Sequence, residues 1–366
     1  MKKAIHVGLI LILVFALVGC SSCSGKGLKI AIVSSPFGIE DNLINQDSYA
    51  GIQAFIKDNR GASVTPVLEQ DTANAIQAVE KIVAKYDVIV AVGSQFAGIY
   101  NIAQQNPDKK FILVDFFPDD GENNEITAPN IYAMKFAEQE SGFFAGVAAA
   151  IETKTGRVAS IQGKPLPSDI NYQYGFMSGV NYANRHLGTN TVVIELPSYA
   201  GTDITGKNIG GNYVGDYNNE AAALTLAKAL LAQNVDIIFA AAGASSDGVF
   251  TAVKEHGNSS VIASDVDRYA DGANGDKNIV LTSVLKAMAS NVQKQLQAIQ
   301  DDTFTGGNVT LDAKTDSTGY VSAPGQHQLS EKTLNALADV YAKVKNGDIV
   351  PASKYNGYTP KSFPGL

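Results

Sequence analysis

From residue 29 to beyond residue 285, short β-branched and apolar runs alternate with stretches of helical period. That alternation limits the fold more than any other feature, because it marks a parallel sheet flanked by helices. Strands are predicted at 29–35, 64–69, 88–93, 111–116, 131–136, 157–162, 192–196, 237–242, 261–265 and 280–285. Helices are predicted at 47–57, 73–85, 96–105, 141–151, 169–185, 219–233, 247–255, 287–300 and 331–345. Within one of them, Ala223, Leu226, Ala227, Leu230 and Leu231 keep the spacing of a single buried face. So many strands strain one open sheet, which points to an α/β chain with two Rossmann-like lobes. A change of lobe is expected near Phe136, before the small-residue stretch GFFAGVAAA and a new strand after Gly156.

The amino terminus reads differently. Lys2 and Lys3 precede an apolar run from Ile5 to Val18, which describes a secretory signal peptide over residues 1–19. The run falls short of the ~20 residues that a membrane-spanning helix needs. Its end, Leu17-Val18-Gly19-Cys20, resembles a bacterial lipobox, which makes Cys20 the expected lipidation site and residues 20–28 a lipidated flexible tether. The expected location is the extracytoplasmic face of the cell membrane, held by lipid. Without residues 1–19 the basic residues fall from 28 to 26 against 36 acidic ones, a formal charge of −10. Such a surface repels phosphate backbones, so nucleic acid is not an expected partner. With Cys20 lipidated, Cys23 has no cysteine left to pair with inside the chain.

Ligands of open parallel sheets gather at the carboxyl ends of strands. There the chain places Ser34 and Ser35, Gly93-Ser94-Gln95, Asp115, Gly243-Ala244-Ser245-Ser246 and Ser264-Asp265-Val266-Asp267. These neutral hydrogen-bonding groups and few carboxylates suit a polyhydroxyl or amide-bearing ligand, with helix capping an equal alternative for Ser35, Ser94 and Ser245. Enzymatic chemistry finds no support. The turn at Gly243 lacks the spacing of a nucleophile elbow, because Asp247 stands where glycine is needed. No two histidines share a metal-ligand spacing, and Gly206-Lys207 lies outside any phosphate-binding loop. No metal and no cofactor are expected. The run from Asp41 to Gly51 adds Asn45, Gln46 and Tyr49 at the mouth of the first lobe. Amides can donate and accept as a purine edge requires, and Tyr49 either offers a stacking face or packs inside the lobe.

At this run the chain resembles the basic-membrane-protein family of bacterial lipoproteins, which includes purine nucleoside receptors of ABC importers. Residues Ile39 to Gly51 resemble its I-D-D-K-S-F-N-Q-x-x-[WF]-x-G motif, and Phe136 to Gly146 its F-x-x-x-E-x-x-F-L-A-G stretch. Gly215 to Asn219, Ala241 to Phe250, Asp265-Val266-Asp267 and Thr282 to Lys286 are similar to four further motifs in the family's order. The resemblance implies a type I periplasmic-binding-protein fold, with two lobes joined by three crossings and ligand in the cleft. With those crossings, lobe I takes residues 29–135 plus about 265–300, and lobe II takes 136–264 plus about 301–366. The resemblance also implies a base sandwiched between Tyr49 and Tyr217, with Asp41 and Asn45 beside it. Gly243 then offers backbone contact, Asp265 and Lys286 serve the ribose, and Asp115 belongs to the same cleft. Tyrosines stand here where the family more often shows Phe or Trp. Glu138 and Glu140 read as hinge or helix-start structure. The implied partners are a purine nucleoside, an ABC permease and its ATPase, with the receptor a monomer. A sugar- or polyol-binding receptor and a surface lipoprotein for adhesion or signalling stand as alternatives.

Overall fold

The structure, a computed structural model, describes residues 27–34, 36–121 and 124–366. The leader, Cys20, Cys23, most of the tether and Ser35 lie outside the described residues. No helix among the described residues is long and apolar enough to cross a membrane.

The first half contains β1 (Lys29–Ser34), α1 (Ile44–Asp58), β2 (Ser63–Leu68), α2 (Ala75–Ile82), β3 (Val88–Val92), α3 (Tyr100–Gln105), β4 (Lys110–Val114) and β5 (Ile131–Phe136). There follow α4 (Glu138–Glu152), β6 (Arg157–Gln162), α5 (Pro167–His186), β7 (Val192–Val193) and the short hairpin β8 (Gly201–Thr202) with β9 (Asn208–Gly210). Next come α6 (Glu220–Leu231), β10 (Ile237–Ala241), α7 (Ser246–His256), β11 (Ser260–Ala263) and a second small hairpin, β12 (Ala273–Asn274) with β13 (Lys277–Asn278). The chain closes with β14 (Val280–Lys286), α8 (Met288–Gln300), β15 (Gly307–Leu311), β16 (Thr318–Tyr320) and α9 (Glu331–Asn346).

Two six-stranded sheets result, ordered β15-β5-β4-β3-β1-β2 and β16-β14-β11-β10-β6-β7. The first is parallel throughout, and the second is parallel except where β16 runs against β14. Both sheets are covered on both faces, which is why their central strands read as unbroken apolar runs. In β1, Ile30 and Ile32 enter one core while Ala31 and Val33 enter the other. Pro66 is tolerated because β2 is an edge strand.

The strand membership differs from the division drawn from sequence. The sequence division puts residues from about 265 to 300 in lobe I, yet β14 pairs with β11 in the second sheet, and within that span it is α8 that packs into the first lobe's core. It puts residues from about 301 to 366 in lobe II, yet β15 pairs with β5 and completes the first sheet. The cause is physical: an apolar run reveals its period but not its partner, and β15 (GNVTL) is too polar and too exposed to read as a strand.

Helix ends follow local chemistry. Asp41 accepts from the amides of Leu43, Asn45 and Gln46, and so serves the open amino end of α1. Asn219 caps α6 by accepting from the Ala222 amide. The stretch GFFAGVAAA makes α4 a buried helix that lies directly on α5. A Cβ at Gly146 would stand 2.1 Å from the Phe176 carbonyl oxygen, and one at Gly179 would stand 2.2 Å from that of Phe143.

The chain crosses between the lobes after β5, after β14 and between β15 and β16. These crossings are laced together. The Glu140 carboxylate accepts from the Ala313 amide at 2.8 Å and from the Thr318 hydroxyl at 2.6 Å. Ser141 donates to the Leu285 carbonyl, and the Ala287 amide donates to the Ser317 carbonyl. Burial pushes the Glu140 carboxyl up to about 7, against the bonds from Thr318 and Ala313.

Candidate ligand-binding site

The carboxyl ends of both sheets meet at Lys286, the last residue of β14. Its ammonium lies 2.8 Å and 3.0 Å from the two oxygens of Asp115, which follows β4 in the first lobe. It lies 3.4 Å from Asp265, which follows β11 in the second lobe, and 3.4 Å from Glu138 at the start of α4. Asp115 and Asp265 share one backbone device. Each leaves its strand at φ +71°, in the left-handed region that Asp tolerates better than most residues. The turn directs both carboxylates at the same cation.

Only 3% of the Lys286 side chain is exposed. Burial alone would lower its pKa, but Asp115 and Asp265 outweigh that and hold it well above the ordinary lysine value. Burial raises the Asp115 carboxyl above its usual range, against the pull of Lys286. Tyr172, on α5, donates its hydroxyl to Asp265 at 2.8 Å, and Asn171 donates to Glu138 at 3.1 Å. Lys286 is therefore gripped by groups from both lobes, and Asp265 is oriented by a neighbour of its own.

Tyr217 and Gly243 stand against each other in the second lobe. The Tyr217 hydroxyl donates to Asp169 at 2.6 Å, and the Lys164 ammonium stands over its ring, 5.6 Å from the centroid. Gly243 takes φ +57°, and a Cβ there would come 3.3 Å from the Tyr217 Cβ. The Ser245 amide donates to the Tyr217 carbonyl, and Ser245 Oγ joins Asp216 and Asn219 on either side of it. Ser245 is thus a loop fastener rather than a cap.

Asp115, Asp265 and Lys286 come together, and Tyr217 adjoins Gly243, whereas Asp41 and Asn45 of the first motif make bonds of their own. Asp41 and Asn45 bond to each other at 2.6 Å and serve α1, whose amino end stands at the same edge of the first sheet. Tyr49 is half-buried and packs against the core on the α1 side of that sheet. Arg268, beside the D-x-D sequence, is buried and pairs with Asp247 and Asp271, away from Lys286. Among the described residues, no group of His, Cys, Asp or Glu is arranged to hold a metal ion.

Three residues escape the sequence reading: Asp169, Tyr172 and Gln162. Asp169 and Tyr172 lie three apart at the start of α5, a spacing that shares a helix face and could have flagged them. Gln162 ends β6 and is fully buried, with neither polar atom of its side chain paired among the described residues. From sequence, Gln162 reads only as the last residue of a strand.

Residues 29–198 and 199–353 match the Bmp family, described as ABC transporter substrate-binding protein PnrA-like. The chain is 26% identical to the ABC transporter nucleoside-binding protein BmpA of Lactococcus lactis subsp. cremoris, over 96% of this chain and 99% of that protein. It is 27% identical to a protein of Pyrococcus horikoshii named an uncharacterized lipoprotein, over 86% of this chain and 75% of that one. The structure is similar to an ABC transporter solute-binding protein of Aeropyrum pernix K1, with a TM-score of 0.73 and 20% identity over 90% and 94% of the two chains. That likeness establishes the type I periplasmic-binding-protein fold.

Proposed function

The chain belongs to the Bmp family of PnrA-like ABC transporter substrate-binding proteins, and from that premise we propose that it is a lipid-anchored receptor for a purine nucleoside. It captures the nucleoside between its lobes and presents it to a permease with its ATPase. What chiefly supports this reading is Lys286, held by Asp115 of one lobe and Asp265 of the other. Carboxylates accept from neighbouring hydroxyls, and an aromatic face takes a base. The mechanism is hinge closure, in which one lobe holds the ligand and the second closes over it and excludes water. The nucleoside-binding name of the Lactococcus relative favours the ligand class, and the lipoprotein name of the Pyrococcus relative favours the anchor.

Calorimetry on protein stripped of bound ligand tests the ligand class. Inosine, guanosine or adenosine should bind more tightly than ribose or free base. Tyr49→Ala or Tyr217→Ala should weaken binding about 5- to 150-fold, the worth of one base–aromatic stack. Sugars binding where nucleosides do not would replace this reading with a sugar receptor. The anchor is tested by feeding cells a clickable fatty acid. Label should vanish in Cys20→Ser and persist in Cys23→Ser, and label retained without Cys20 would remove the lipid-anchor argument.

A further inference from the structure

The ring of Tyr217 rests against bare backbone. A Cβ at Gly163 would lie 2.3 Å from its Cδ1 and Cε1 atoms, so only glycine leaves room for the ring there. Its hydroxyl donates to Asp169 Oδ2 at 2.6 Å, while Asp169 Oδ1 accepts from the Gly163 amide at 2.9 Å. One carboxylate thus holds both the tip of the ring and the strand end beneath it. Ser168 adds a bond to Oδ2 at 3.3 Å, and Asp169 is 3% exposed. The loop that carries the ring is already tied down by Ser245 at Tyr217, Asp216 and Asn219. With both the backbone and the hydroxyl fixed, the ring cannot swing about its Cα–Cβ bond without breaking the bond to Asp169, and the close approach of Gly163 to its Cδ1 and Cε1 atoms restrains rotation about Cβ–Cγ.

We infer that Asp169 is the positioning residue of this site: it holds the Tyr217 ring in its stacking pose before ligand arrives. The inference rests on the nucleoside reading for its ligand, but the contact itself needs none. A platform built in advance spares the ligand the cost of immobilising a side chain, which sets the expected size of the effect at about 2- to 10-fold in affinity. Burial pushes the Asp169 carboxyl up to about 7, and burial beside Asp169 pushes the Tyr217 phenol up as well, so the phenol keeps its proton and remains the donor.

A double-mutant cycle on the full-length protein, read with inosine by calorimetry, tests the coupling. Tyr217→Phe removes only the hydroxyl and should weaken inosine about 2- to 10-fold while sparing the ring. Asp169→Ala should weaken it to a similar degree alone and by less than about 2-fold in the Tyr217→Phe background. An equal loss in both backgrounds, or an unchanged affinity in Tyr217→Phe, would overturn the assignment. A second readout needs no ligand. In protein labelled with ring-carbon tyrosine, the Tyr217 Cζ resonance, identified by its absence in Tyr217→Phe, should move in Asp169→Ala. An unmoved resonance overturns the contact, whereas wild-type protein that ignores inosine refutes the nucleoside reading and leaves the contact to this spectrum.

Discussion

Replacing Lys286 with Met should lower stability by about 3–5 kcal/mol near neutral pH, the usual cost of stripping one partner from a buried ion pair. The substitution keeps much of the volume but leaves Asp115, Glu138 and Asp265 facing one another with side-chain exposures of 18%, 4% and 14%. The loss should depend on pH in a definite direction. Lys286 is held above the ordinary lysine value, so in the wild type its contribution persists across neutral pH and fades only as pH rises through that raised value. Asp115 is also raised: between its usual value and the raised one, the native state keeps a proton that the unfolded chain has released. Its contribution to stability therefore falls as pH climbs through that window. Without Lys286 the window extends upward, so the deficit should be larger at about pH 8 than at about pH 5. Urea unfolding at both values measures it, and equal deficits at the two would contradict the cluster described here.

Asp265→Ala should weaken a ribonucleoside by roughly 10- to 150-fold, the worth of hydrogen bonds to a charged group. Asp265→Asn should lose less, for two reasons. The amide keeps one acceptor oxygen, and Asn tolerates the φ of +71° at this position, which Ala adopts only with strain. A 2′-deoxynucleoside should bind the native protein less well than its ribo counterpart, and that handicap should shrink in both variants. If Asp265 serves only to pair with Lys286 and accept from Tyr172, the variants will melt at lower temperature yet keep their preference for ribose. An unchanged preference in a folded variant would remove the proposed sugar contact.

Asp265 and Lys286 illustrate what the amino-acid sequence can disclose. Both stand at strand ends, and a strand end is visible as the place where an apolar run stops. Asp115 was visible for the same reason, but its pairing with Lys286 was not: the contact spans the two sheets, and local pattern carries no information about partners so distant in the chain. Asp169 and Tyr172 were hidden differently. Their segment reads as an ordinary helix start, with Pro167 at its first position and an acid in its first turn. Only packing against β6 reveals that the acid faces the site. The same blindness to partners explains why β14 and β15 were placed in the wrong lobes. Asp41 carries a further duty that the motif does not disclose, at the amino end of α1.

The exchange of strands between the sheets bears on the order in which the molecule can be completed. No contiguous fragment contains all of one sheet without a strand of the other. Residues up to Phe136 leave β5 with an open edge, and that edge is filled only by β15, after every strand from β6 to β14 has been made. A chain delivered amino end first, from a ribosome or through a narrow channel, therefore reaches its final topology only when nearly all of it has emerged. Early segments are left waiting for late ones, so the long-range pairing of β5 with β15 is among the last contacts the chain can make.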